Sequence, residues 1–185
     1  MSTKKGSIHV ITGGMSSCKS TELLRLIRRH LIANDKCCLI KSIKDTRYGS
    51  NYPCVTTHDG QSWEATISTN LYDVYDTALC NDVICIDEGQ FFPRVDEFAS
   101  DMANNHGKKV IIAALNSTFE MKPFPNVSNL FAIAETITKF DAVCIFCRST
   151  AYFSKRLSDE KEIEVVGGLD KYAAVCRNCF FKDTV

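Results

Sequence analysis

Gly13, Lys19 and Ser20 fall at the spacing of a phosphate-binding loop, a glycine followed after four residues by glycine, lysine and serine or threonine; here the segment reads Gly13-Gly14-Met15-Ser16-Ser17-Cys18-Lys19-Ser20. The chemistry of such a loop is anion capture. Backbone N–H groups at the start of a helix attract phosphate, Lys19 would reach the outer phosphates, and the Ser20 hydroxyl would ligate the Mg²⁺ that accompanies a nucleoside triphosphate. One letter departs from the pattern. Cys18 stands where the second glycine belongs, so a Cβ carrying sulfur intrudes where the backbone must approach the phosphates. The competing reading is an ordinary loop with a solvated lysine, and the strand-turn-helix context favours phosphate binding.

Asp87-Glu88 forms the second constellation, closing the apolar run Val83-Ile84-Cys85-Ile86. A buried strand that ends in acids downstream of a phosphate loop can place Asp87 near the magnesium ion. It leaves Glu88 to face an acceptor hydroxyl as general base; the plainer alternative is a helix cap or a satisfied loop acid. The third constellation is cysteine. Cys144-Ile-Phe-Cys147 and Cys176-Arg-Asn-Cys179, 28 residues apart, offer four thiolates, the set that tetrahedral zinc prefers. Redox disulfides and simple apolar burial are the rivals. A closed four-sulfur site has no position for substrate, so its expected role is to staple a small unit. Cys37, Cys38 and Cys85 lie in strand-like runs and read as packing.

The elements that must position these groups follow from hydrophobic pattern. Ser7–Thr12 reads as a strand entering the loop and Ser20–Ala33 as a helix, with Leu23, Leu24, Ile27 and Leu31 at helical spacing. Lys36–Lys41, Asn81–Ile86 and Lys109–Leu115 read as further strands, and Arg94–His106 as a helix stopped by Gly107. Asp45–Gly60 is polar, rich in turn formers and read as loop. Alternating strands and helices at this spacing predict an α/β fold with a parallel sheet. Texture changes near Phe140, where short strand-like pieces such as Glu162–Val166 lie between the cysteine pairs. A unit that small needs a staple.

Bulk composition bounds the partners. The 185 residues, 45% of them hydrophobic, suit one compact domain with an appendage. Lys plus Arg and Asp plus Glu both number 22, so formal charge is zero and a nucleic-acid partner is disfavoured. No apolar secretory segment opens the chain, and no run approaches the roughly 20 residues of a membrane span. The expectation is a reducing, cytoplasmic setting (host cytoplasm for a viral source) with no membrane partner.

With these motifs in place, the chain resembles the type II thymidine kinases, the cytosolic vertebrate enzymes and their poxvirus relatives. The resemblance is carried by Lys19-Ser-Thr-Glu-Leu23, Asp45-Thr46-Arg47-Tyr48, Thr57-His58-Asp59, Asp87-Glu88-Gly89-Gln90-Phe91-Phe92-Pro93, Ala113-Ala114-Leu115, Thr118-Phe119 and Lys122-Pro123-Phe124. Lys155-Arg156-Leu157, Gly167-Gly168, Asp170-Lys171-Tyr172 and both cysteine pairs extend it. It implies a P-loop (RecA-like) parallel sheet with flanking helices as kinase core over 1–139, and a small zinc-ribbon lasso domain over 140–185 that forms a lid. The implied reaction is ATP plus thymidine to dTMP plus ADP.

By position, Glu88 matches the family's base on the 5′-hydroxyl. Gly13 through Ser20 match its phosphate loop, Ser20 and Asp87 its Mg²⁺ groups, and Asp45 and Arg47 polar residues near the phosphates. Met15, Gln90, Phe91, Leu115, Phe119, Phe124, Ser154 and Tyr172 match the nucleoside pocket, and the lasso loop implied around Val165, Val166 and Gly167 would read the base through its backbone. Spacing by itself makes Phe119, Phe124 and Tyr172 ordinary core residues. The resemblance also implies a homotetramer inhibited by dTTP. Against the family loop Gly-Pro-Met-Phe-Ser-Gly-Lys-Ser, this chain substitutes Gly14, Ser16 and Cys18, and Asn116-Ser117 replaces the usual Asp-Gly. Two other readings stay open on sequence: a catalytically impaired nucleotide-binding descendant of such kinases, and a zinc-ribbon nucleic-acid module on an ATPase core.

Overall fold

The computed structural model describes residues 5–45, 53–57, 60–157 and 171–182. Strand β1 (Ser7–Gly13) runs into helix α1 (Lys19–Ile32), which returns to β2 (Cys37–Ser42). A ribbon of β3 (Cys54–Thr56) and β4 (Ser62–Glu64) precedes β5 (Thr66–Ser68) and the short α2 (Tyr75–Leu79). Then come β6 (Val83–Asp87), α3 (Val95–Asn104), β7 (Lys109–Leu115), α4 (Pro125–Ile133) and β8 (Thr136–Phe140). The remaining described elements are β9 (Ala142–Val143), β10 (Thr150–Ala151), β11 (Phe153–Arg156), β12 (Tyr172–Val175) and α5 (Arg177–Phe181).

Six strands form one sheet in the order β5-β2-β6-β7-β1-β8, and every pairing in it is parallel. Apolar residues on both strand faces explain why. Ile8, Val10, Ile84, Ile86, Val110 and Ile112 pack with Phe98 and Met102 of α3 and with Val127 and Leu130 of α4. The alternate residues Ile11, Leu39, Val83, Cys85, Ile111 and Ala113 pack with Leu23, Leu24 and Ile27 of α1. A sheet covered on both faces reads in sequence as continuous hydrophobic runs. Burial pushes the Cys85 thiol well above its ordinary pKa and the Cys38 thiol up to about 12, as befits cysteines used for packing.

Because the strands are parallel, β1, β2, β6 and β7 deliver their C-terminal residues to one edge of the sheet, the edge where open α/β folds bind ligands. The loop expected over Asp45–Gly60 contains β3, whose Val55 is buried against α1 beside Ala65 and Trp63. Polar flanks hid that three-residue strand. The expected strand Glu162–Val166 lies outside the described residues. Beyond β8 the described strands form two separate two-stranded antiparallel pairs, β9 with β10 and β11 with β12. They share a small core of Ala142, Cys144, Ala151, Ala173, Ala174, Val175 and Cys179. No helix among the described residues is long and apolar enough to cross a membrane.

Candidate active site

The phosphate loop leaves the sheet at Gly13, where no side chain fits: a Cβ there would lie 2.5 Å from the Phe140 carbonyl oxygen and 2.6 Å from Ser17 Oγ. Ser17 Oγ and Lys19 Nζ both donate to the Gly14 carbonyl, at 2.9 and 2.7 Å, and tie the turn to the first residue of α1. Ser16 and Cys18 have φ of 59° and 60°. Positive φ at alternating positions is how successive N–H groups come to line an anion-binding concavity. Cys18, the N-cap of α1, therefore holds the left-handed conformation (φ 60°, ψ 23°) that glycine adopts without cost, and its side chain is exposed. A residue with a Cβ pays of order 1–3 kcal/mol for such a backbone.

The acids arrive on β6, the second strand over from β1, every residue of which is buried. Ser20 Oγ donates to both carboxylate oxygens of Asp87, at 3.0 and 3.1 Å, so the hydroxyl and carboxylate oxygens stand together at the mouth of the loop. Such an all-oxygen set suits a hard cation such as Mg²⁺. The next residue, Glu88, is 7% exposed and also left-handed, with φ 53° and ψ 48°. Gln90 fixes its carboxylate: Nε2 donates to Glu88 Oε2 at 2.5 Å while Oε1 accepts from Leu115 N at 3.0 Å. Gly89 completes the tight turn, since a Cβ there would come within 2.6 Å of Ile112 Cγ2. Strained conformers held in place this firmly cluster at functional sites.

Loop and acid face one cleft, lined by Met15 through Thr21, by Thr56 and Thr57, and by Glu88. The second unit reaches this cleft through β11, where buried Ser154 Oγ accepts from Met15 N at 2.9 Å. Beyond it, the Arg156 guanidinium stacks 3.8 Å from the Phe119 ring centroid and 5.1 Å from that of Tyr172, whose hydroxyl it also bonds. Lys44 Nζ lies 5.9 Å from the Phe91 ring centroid. Phe124, next to Pro125 of α4, packs against the main core. Asp45 is buried beside Lys41, with Nζ to Oδ2 at 3.6 Å. Arg47, Val165, Val166 and Gly167 lie outside the described residues. Sequence reading passed over three features: Thr56 as a cleft residue, the buried Lys41, and Arg156 as the stacking partner of two aromatics. Of these Arg156 had a signal, because it stands inside the Lys155-Arg156-Leu157 motif.

The Sγ atoms of Cys144, Cys147, Cys176 and Cys179 all lie within 4.8 Å of one another. Cys147 and Cys176 are 3.6 Å apart, and zinc–sulfur bonds of about 2.3 Å would give tetrahedral edges of about 3.8 Å. Cys176 Sγ also accepts from Cys179 N at 3.5 Å. Hydrogen bonds from the Ser149 side chain and backbone hold the Cys147 thiol down to about 6. Burial, together with the neighbouring thiols, pushes Cys179 up to about 12. The donor set and spacing fit a structural zinc ion.

A six-stranded parallel sheet whose first strand feeds a phosphate loop, with a buried acid pair beside it, defines a P-loop nucleotide-binding enzyme fold carrying a four-cysteine appendage. FlaH, a flagellar accessory protein from Methanocaldococcus jannaschii, superposes with a TM-score of 0.51 at 15% identity, over 80% of this chain and 76% of that one, a likeness of fold alone. The family model for thymidine kinase matches residues 6–180, and the chain belongs to that family. It is 50% identical over 176 residues to the thymidine kinase of Sheeppox virus (strain KS-1), covering 95% of this chain and 97% of that protein. It is 52% identical over 181 residues to human cytosolic thymidine kinase, covering 98% of this chain and 76% of that protein. Thymidine kinase 1 of Dictyostelium discoideum is likewise 52% identical over 180 residues.

Proposed function

We propose that this chain transfers the γ-phosphoryl group of ATP to the 5′-hydroxyl of thymidine, giving dTMP and ADP. The observation that carries the reading is that Glu88, locked by Gln90 in a left-handed turn, shares one cleft with the phosphate loop. Glu88 takes the proton of the 5′-hydroxyl as the new oxygen–phosphorus bond forms, and the bond from the γ-phosphorus to the β,γ-bridging oxygen breaks to release ADP. Lys19 and the N–H groups of Gly13 through Ser20 hold the phosphates. By the same family reading, Asp45 and Arg47 act near the phosphates. Ser20 and Asp87 would hold Mg²⁺, which supplies charge neutralisation on the β,γ oxygens.

Met15, Gln90, Phe91, Leu115, Phe119, Phe124, Ser154 and Tyr172 shape the nucleoside site, and the segment with Val165, Val166 and Gly167 covers the base. Residues 1–139 form the kinase core and 140–185 the lid, stapled by zinc on the four cysteines. The same family reading implies a homotetramer with dTTP as end-product inhibitor.

The test is dTMP formation from thymidine and Mg·ATP, run on wild type and Glu88→Gln together. Loss of the base should lower kcat about 10²–10⁴-fold while nucleotide binding persists. A folded, metal-replete wild type that makes no dTMP would leave a nucleotide binder only. A Glu88→Gln variant of unchanged kcat would remove the base from the scheme.

A further inference from the structure

Lys41 is 2% exposed, and none of the chemistry described so far uses it. Lysine is almost never fully buried without a partner. Its place explains the burial. It lies near the end of β2, paired in register with Asp87 on β6. Its ammonium group sits 3.6 Å from Asp45 Oδ2 and donates to the Cys54 carbonyl oxygen at 3.2 Å. Those two contacts fall on opposite sides of residues 46–53. Asp45 is the last described residue of the first segment, and Cys54 opens β3.

Among the described residues β3 pairs with β4 alone, in a ribbon separate from the main sheet, so no ladder hydrogen bond ties it to the sheet edge that bears the acids. The ribbon does rest on α1 through Val55, Ala65 and Trp63 and through a hydrogen bond from Arg28 to Gln61. Those contacts fix its distance from α1. The Lys41 hydrogen bond fixes it to β2, from a strand whose other neighbour carries Asp87. Two residues past Cys54, Thr56 and then Thr57 line the same cleft as the phosphate loop.

We propose that Lys41 is a positioning residue for phosphoryl transfer: a buried cation that clamps Asp45 to β3 and so sets the Thr56–Thr57 wall against the triphosphate end of the cleft. The inference rests on the kinase reading. It makes a distinction that a purely structural lysine would not, because the clamp acts on the phosphate donor side and leaves the Phe119–Arg156–Tyr172 stack untouched.

The experiment is Lys41→Met, which keeps the length and apolar stem and removes the charge, with steady-state kinetics in ATP and in thymidine measured separately. The ATP KM should rise at least tenfold and the thymidine KM stay within twofold. Amide exchange at Thr56 and Thr57 should accelerate while β6 and β7 keep their protection. If Lys41→Met does not fold, Lys41→Gln, which removes the charge and keeps a donor for the Cys54 carbonyl, should show the same selective ATP defect. Unchanged KM values, equal shifts in both, or failure of both variants to fold would overturn the proposal by making Lys41 structural alone. An inactive wild type would instead overturn the kinase reading, so the two failures are distinguishable.

Discussion

Replacing Cys18 with glycine tests how this chain manages a phosphate loop lacking its second glycine. Cys18 already holds φ 60° and ψ 23°, so the substitution asks for no new backbone path. Relief of left-handed strain is worth about 1–2 kcal/mol. Glycine's extra freedom in the unfolded chain takes back about 0.4–1 kcal/mol. The net is a stabilisation on the order of 0.5–1 kcal/mol, and for a chain of this length that raises Tm by about 1–4 °C. The second effect is on the nucleotide. The exposed Cys18 side chain lines the cleft, and removing its bulk should raise kcat/KM for ATP severalfold, equivalent to about 1 kcal/mol of binding. Cys18→Ala separates the two effects, because it deletes the sulfur and keeps the Cβ. It should gain catalytic efficiency with no gain in Tm. The assays are differential scanning calorimetry and initial rates at varied ATP. A Cys18→Gly protein with unchanged or lower Tm would refute the strain account. An unchanged or lower kcat/KM for ATP would refute the steric one.

Two further outcomes follow from groups away from the loop. Asp35 accepts from His30 Nδ1 at 2.8 Å and from Lys109 Nζ at 3.3 Å. The His30 hydrogen bond first, then that of Lys109, hold its carboxyl below the usual range against the opposing effect of burial. A depressed folded pKa stabilises above the unfolded value of about 4 and loses that contribution as pH falls through the folded one. Wild type should therefore exceed Asp35→Asn by about 0.5–1 kcal/mol near neutral pH, with the gap closing below about pH 4. A gap that persists undiminished to pH 2 in urea titrations would contradict this. For the four cysteines, one zinc per chain is expected by elemental analysis and its loss in Cys144→Ser. Because the small unit's core is slight and its Ser154 holds Met15, metal removal should lower Tm on the order of 10 °C and depress dTMP formation. Full zinc retention in Cys144→Ser would count against a four-thiolate site.

Much of the core was legible because its signals are local. Apolar runs at β1, β6 and β7 betrayed a sheet buried on both faces, and the loop spacing and the paired cysteines each compress their chemistry into a few neighbouring residues. The short elements escaped. β3, β4 and β5 have three residues each, too few for a period to register, and β3 is held by packing under α1 that only the folded chain supplies. The edge strand β8, with exposed Ile137 and polar Thr136, Thr138 and Lys139, carries no core pattern because one face of it meets water.

Residue type and local spacing thus supply the candidates: a lysine spaced to meet phosphate, an acid at a strand end, four thiols in two pairs. Tertiary structure decided their mutual geometry. Parallel pairing brings the ends of β1, β6 and β7 to one edge. Gln90 bridges Glu88 to Leu115 across 25 residues, Ser154 reaches Met15 across 139, and Lys41 meets both Asp45 and Cys54. Contacts between residues so far apart in the chain leave no periodic trace in it, since each depends on the path of the backbone through the whole sheet.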